Sequence, residues 1–261
     1  MSARSIWQGT LTIQKHEIAI KLYAAVEDRH VHFHLLHKRD RSRVAQQMVD
    51  PETEKPVALD EARKAFEAEP GLYVIVTRED IERSEPKAAR ELRVSRFVPI
   101  DAIDPHLFDR PYFLGPDKDS ANDYFALAKA VDRSHCAGIA TWVMRKHSYV
   151  GALLSQFGYL MLITLRHADE VIPIQELDPP QGAALEAKER DLAAKLIDAL
   201  SGQFEPQVYH DEYQERVHEL IEAKRTGKKV KRQRVRRTQS PGSLADALRS
   251  SLKQASARKR A

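Results

Sequence analysis

Apolar residues recur at every second position over the start of the chain: Leu11 and Ile13, then Ile18, Ile20 and Leu22, then Val31, Phe33 and Leu35. Period two means one buried and one exposed face, so residues 6–36 are predicted to form strands. Residues 37–64 are polar and irregular, with Pro51 and Pro56 as breakers, and read as a long insertion or a weak hairpin. The run Leu72-Tyr73-Val74-Ile75-Val76 suits a buried strand. Phe97-Val98-Pro99-Ile100 suits an edge strand, because proline cannot donate to a ladder. Residues 117–134 read as a helix, with Ser120 and Asp123 as a capping box and Phe125, Leu127 and Val131 as apolar contacts. Two further strands are expected at 137–144 and 159–165, with Gly158 at the turn between them. Many strands with one helix among them favour a barrel or sandwich over a doubly wound sheet.

The pattern changes after Pro179-Pro180. Leu185, Leu192, Leu196, Ile197 and Leu200 follow helical spacing, and Gly202 stops the run. A second helix is expected from about His210 to Arg225, with Asp211 and Glu212 at its start, where the helix dipole favours acids. Tyr213, Val217, Leu220 and Ile221 form its apolar stripe. Apolar stripes on helices that leave a barrel must be buried on something, and a second copy of the chain would serve.

Charge divides the chain more sharply than the net value of +4 suggests. Of the 42 Lys and Arg, 14 lie from Ala223 onward, against one of the 38 Asp and Glu, so the body carries about −9 and the tail about +13. Nine of the fourteen residues from Lys224 to Arg237 are basic, with no acid among them. Such a run predicts disorder when free and binding to a polyanion by counterion release. It has no aromatic residue, so base stacking is not expected from it. A second basic group, Arg29, Lys38, Arg39, Arg41 and Arg43, has only Asp40 within its 38–43 run and is a candidate DNA-facing surface. The Ser243–Leu252 stretch, with Leu244, Ala247, Leu248 and Leu252, is expected to form a short amphipathic turn on a partner.

Other chemistry finds less support. His30, His32 and His34 would share one strand face, with His37 nearby, but no carboxylate other than Asp28 is placed to orient them as metal ligands. His210-Asp211-Glu212 reads as a helix start. The chain has no phosphate-binding Gly loop, nucleophile elbow or zinc-protease helix, and the lone Cys136 makes neither a disulfide nor a zinc pair. No apolar stretch is long enough to span a bilayer, and the N-terminus has no signal-peptide core. The expectation is a soluble, intracellular protein without cofactor, metal or catalytic residue.

Short motifs in order along the body sharpen this. They include Ile6-Trp7-Gln8-Gly9, Ile20-Lys21-Leu22-Tyr23, the run from Val31 to Lys38, Phe108-Asp109-Arg110-Pro111-Tyr112 and Thr164-Leu165-Arg166. Leu196 to Gly202, Tyr209 to Tyr213 and Ile221 to Lys224 continue the series. Over roughly residues 4–230 the chain resembles the prokaryotic Ku family, whose members hold DNA ends for non-homologous end joining. It departs from the family at Ile13–Glu17, where members often carry a Gly-rich stretch, and at Ala45–Asp50, where they are often more basic and contain cysteine.

The resemblance implies a mixed β fold with α: a β-barrel core over 1–180 with an inserted bridge at about 37–70, a helical C-terminal arm over 181–227 and a basic tail over 228–261. It implies a ring-forming homodimer threaded by double-stranded DNA ends and partnered by an ATP-dependent DNA ligase in double-strand break repair. DNA contacts are expected from Arg29, Lys38, Arg39, Arg41 and Arg43 in the channel. Lys224, Arg225, Lys228, Lys229, Lys231, Arg232, Arg234, Arg236 and Arg237 are expected to hold the flanking duplex. Two other readings predict different behaviour. A DNA-compacting protein acting through its tail would bind closed circles as well as linear duplex. A metal enzyme built on the histidine strand would carry stoichiometric zinc.

Overall fold

The computed structural model describes residues 4–87, 89–117, 119–177 and 186–228, together with Leu248 and Ser251. They divide into two compact units: residues 4–29 with 34–176, and residues 30–33 with the described residues from Leu177 onward. Leu185 and the basic run from Lys229 to Arg237 lie outside the described residues.

The first unit is built on a closed seven-stranded barrel. Its strands are β1 (Trp7–Ile13), β2 (His16–Ala24), β5 (Glu91–Pro99), β6 (Phe108–Pro116), β7 (Cys136–Met144), β8 (His147–Gln156) and β9 (Tyr159–Leu165). Around the barrel they run β1-β2-β6-β9-β8-β7-β5. All neighbours are antiparallel except β1 and β5, which pair in parallel and close the ring. Closure gives each of these strands a neighbour on both sides over at least part of its length.

Alternation fills the interior: Leu11, then Ile18, Ile20 and Leu22, then Leu92 and Val94, Tyr112 and Leu114, Ala140 and Trp142, Leu153, Leu160 and Leu162. The barrel-or-sandwich expectation thus resolves to a barrel. Phe97 to Pro99 pair only with β7, because the β1 ladder ends at Val94, so proline stands where one side of the strand is unpaired.

Helix α2 (Ala121–Ser134) runs between the end of β6 and the start of β7. Tyr124, Ala128 and Val131, at helical spacing, enter the barrel's core cluster. The capping box expected at its start is absent. The Ser120 hydroxyl makes no cap bond and instead accepts the backbone N–H of Ala19 at 3.2 Å. Phe125 stays partly exposed, in edge-to-face contact with Tyr124 and Tyr159.

Three expectations about strands and their order are corrected. Residues 31–35 are not a strand: the ladder ends with β2 at Ala24. Their period-two pattern meets no partner strand, and Phe33 and Leu35 are exposed. Leu72–Val76 is a strand, β4, but not a buried one. It pairs with an unforeseen β3 (Lys64–Glu69) in an isolated two-stranded sheet whose Phe66, Leu72, Tyr73, Val74 and Ile75 are all exposed. Finally, Gly158 does turn the chain, with φ +80°, but between β8 and β9, and β8 separates the two strands expected to be adjacent. β8 hid from a period-two reading because Gly151 to Leu154 are buried in succession. Leu153 faces the barrel interior, whereas Ala152 and Leu154 join Ile103 and Ala137 in a second cluster.

A short helix, α1 (Arg78–Ser84), follows β4, capped by reciprocal bonds between Thr77 and Asp80. The second unit contains α3 (Ala187–Leu200) and α4 (Glu212–Arg225). Asp211 caps α4 by accepting the N–H groups of Tyr213 and Gln214 at 3.0 Å each. Among the described residues α3 buries none of its side chains, and α4 buries only Val217. Part of the α4 surface is met by its own chain: the Val31 N–H donates to Gln214 Oε1 at 3.1 Å. No helix among the described residues is long and apolar enough to cross a membrane.

Candidate nucleic-acid interface

The basic group of the first unit is organised by a tight turn. The N–H of His37 bonds to the carbonyl of Ser42 at 2.8 Å, and the N–H of Arg41 bonds back to His37 at 2.9 Å. A one-pair ladder between Leu36 and Arg43 closes the turn, and Arg41 takes a left-handed φ of +61° to let the chain reverse.

Asp40, the one acid in the run, faces into this turn. Its Oδ1 accepts the backbone N–H and the hydroxyl of Ser42 at 3.0 and 2.8 Å, and lies 3.1 Å from His37 Nδ1. The Ser42 N–H foremost, then the Ser42 hydroxyl and the His37 ring, hold its carboxyl below the usual range. Its charge is engaged within the turn, and Lys38, Arg39 and Arg41 are left exposed without an ion-pair partner among the described residues. The Arg43 guanidinium meets the His34 ring at 3.1 Å and has no carboxylate partner among the described residues. Arg29 is different: it is exposed but pairs with Glu27 at 3.3 Å.

A second turn repeats the design with opposite charge. The Asp50 N–H bonds to the Lys55 carbonyl and the Glu54 N–H to the Asp50 carbonyl, each at 2.9 Å, with Glu54 at φ +55°. Asp50 Oδ1 accepts the N–H groups of Glu52 and Thr53. From sequence these residues are merely irregular and polar. The repeat lies in backbone bonds, which leave no period in the side chains.

The tail cations that are described sit at the end of α4. Lys224 and Arg225 occupy its last turn, where the dipole favours cations, and Arg225 pairs with Glu222 at 2.7 Å. Gly227, at φ +74°, and Lys228 close the helix with N–H bonds to the carbonyls of Lys224 and Ala223. Lys229, Lys231, Arg232, Arg234, Arg236 and Arg237 lie outside the described residues.

Among the four histidines, His34 meets the Arg43 side chain and His37 that of Asp40. Among the described residues no group of three or more His, Cys, Asp or Glu side chains converges on a point.

The family model for the Ku70/Ku80 beta-barrel domain matches residues 12–194. Non-homologous end joining protein Ku 2 of Geotalea uraniireducens is 38% identical over 255 residues, covering 97% of this chain and 99% of that protein. Non-homologous end joining protein Ku of Anaeromyxobacter sp. is 38% identical over 260 residues, covering 99% of this chain and 87% of the relative. The protein of the same name from Mycolicibacterium smegmatis is 32% identical over 232 residues, 86% of this chain and 72% of its own. With a closed barrel at its centre and a match over most of its length, the chain belongs to the Ku family.

Proposed function

We propose that this chain binds double-stranded DNA ends without reading their sequence and holds them for non-homologous end joining, as a homodimeric ring that itself catalyses nothing. The observation that carries the reading is the 37–43 turn, where the single carboxylate is engaged inward and Lys38, Arg39 and Arg41 are exposed without an ion-pair partner among the described residues. Cations free of carboxylates release counterions from a polyphosphate, and phosphate contacts carry no sequence information. A ring supplies end specificity by topology, since duplex enters it only from a terminus.

The exposed β3–β4 sheet supports a second copy in this reading. An isolated hairpin with apolar residues exposed on both faces is marginal in water, and another chain would cover it. In this reading Arg29, Lys38, Arg39, Arg41 and Arg43 line the channel, and the run from Lys224 to Arg237 grips flanking duplex. The arm over 181–227 offers apolar positions to an ATP-dependent DNA ligase. The protein works in the cytoplasm on the nucleoid.

Competition between linear and covalently closed duplex of equal length tests this. Linear DNA is expected to displace a labelled end-bearing probe while circles compete weakly. Equal competition would sink the ring and favour compaction through the basic tail.

A further inference from the structure

The barrel end opposite α2 carries a cation cluster that the proposed function does not yet use. The β7–β8 turn consists of Arg145 and Lys146, between the paired Met144 and His147. Both have positive φ, 50° and 68°. A type I′ hairpin turn needs this backbone, and Asn-Gly adopts it with least strain. Here two long cations hold it instead.

A cavity of about 480 Å³ opens beside the turn; its walls carry Lys87, Arg90, Arg145 and Lys146 against Glu82 and Glu85. Both acids are occupied. Glu85 binds Lys146 at 2.9 Å, and Glu82 accepts from Arg78 at 2.8 Å. Lys87, Arg90 and Arg145 are left exposed, with no ion-pair partner among the described residues.

The frame behind them is fixed. Trp7, also lining the cavity, donates its indole N–H to the Val143 carbonyl at 3.2 Å. The Arg90 carbonyl accepts the Thr10 N–H at 2.9 Å. Gly9 lies between: a Cβ there would stand 2.3 Å from the Arg90 oxygen and 2.4 Å from the Trp7 ring. The absence of a side chain lets ring and backbone close on each other.

We infer that Lys87, Arg90 and Arg145 form a second phosphate-binding site for duplex DNA on the barrel, separate from the 37–43 turn. Three uncompensated cations around a fixed rim suit a ligand with several anionic groups, and phosphates of a nucleic acid supply them. The inference rests on the DNA-binding reading and names a further surface that would serve it. The phosphates could be internal phosphodiesters or a terminal 5′-phosphate.

The test uses the full chain with Lys87→Gln, Arg90→Gln and Arg145→Asn together, the asparagine being chosen because it tolerates left-handed backbone. Affinity is measured against salt on one linear duplex with, and one without, 5′-phosphates. The slope of log affinity against log salt is expected to shrink by about 3 units, roughly 0.9 for each phosphate that is no longer neutralised. A loss on both duplexes assigns internal phosphates, and a loss only on the phosphorylated duplex assigns the terminal group. Unchanged slope and affinity on both would overturn the inference. Should the triple variant unfold, Arg145→Asn alone is expected to lower the slope by about 1 unit, and no change there overturns the inference equally. Preference for linear over circular DNA reports on the ring alone, so the two failures are distinguishable.

Discussion

Tyr124 joins helix to barrel through one oxygen. Its hydroxyl donates to the Leu114 carbonyl at 2.5 Å and accepts the Leu160 N–H at 2.8 Å, with the whole residue buried. Removing that oxygen leaves two backbone groups to be satisfied otherwise, so Tyr124→Phe is expected to cost about 1–3 kcal/mol of stability, measured by denaturant unfolding. Burial also pushes its pKa from 10.0 up to about 12. The unfolded chain therefore ionises this group first as pH rises. Its contribution is complete below about pH 10 and is lost as pH climbs from there through about 12. The phenylalanine variant should lose less stability than the parent over that window, and parallel pH profiles would refute the assignment. In the 37–43 turn, Asp40 makes the same point about partners: a residue that looks like a flaw in a basic run is engaged by Ser42 and His37.

Among the elements, the β3–β4 hairpin makes the strongest demand. Phe66 faces Val74 across the ladder and Tyr73 and Ile75 occupy the other face, so both surfaces are apolar. If a second copy covers them, Phe66→Ser with Ile75→Ser should turn a dimer into a monomer in sedimentation while leaving the barrel's thermal midpoint nearly unchanged. Dimers that persist would contradict it. The hairpin also marks where sequence periodicity runs out. Barrel strands with one face in the core, such as β1 and β2, were legible from alternation because water and core lie on opposite sides. β8 was not, because four consecutive residues are buried on both faces. Residues 31–35 alternate without joining a ladder, because side-chain pattern cannot specify a hydrogen-bonding partner. The basic residues of the 37–43 turn were legible as charge, but their freedom from carboxylates was not, since it depends on where Asp40 points. The cluster at Arg145 left no signal, because Arg-Lys is not a turn sequence that composition reveals.

For the whole molecule, charge and topology separate into two testable parts. The body carries about −9 and the tail from Ala223 about +13, so affinity and end preference need not share a source. Deleting residues 224–261 is expected to weaken duplex binding and flatten its salt dependence while the preference for ends survives. Loss of the preference together with affinity would assign both to the tail. Threading of the ring by duplex is decided by topological trapping. The protein is loaded on linear duplex, the DNA is ligated into a circle, and salt is raised to a level that strips protein from unligated controls. A threaded ring is expected to stay on the closed circle and to leave once a single cut relinearises it. Release from circle and linear duplex at the same salt would contradict it.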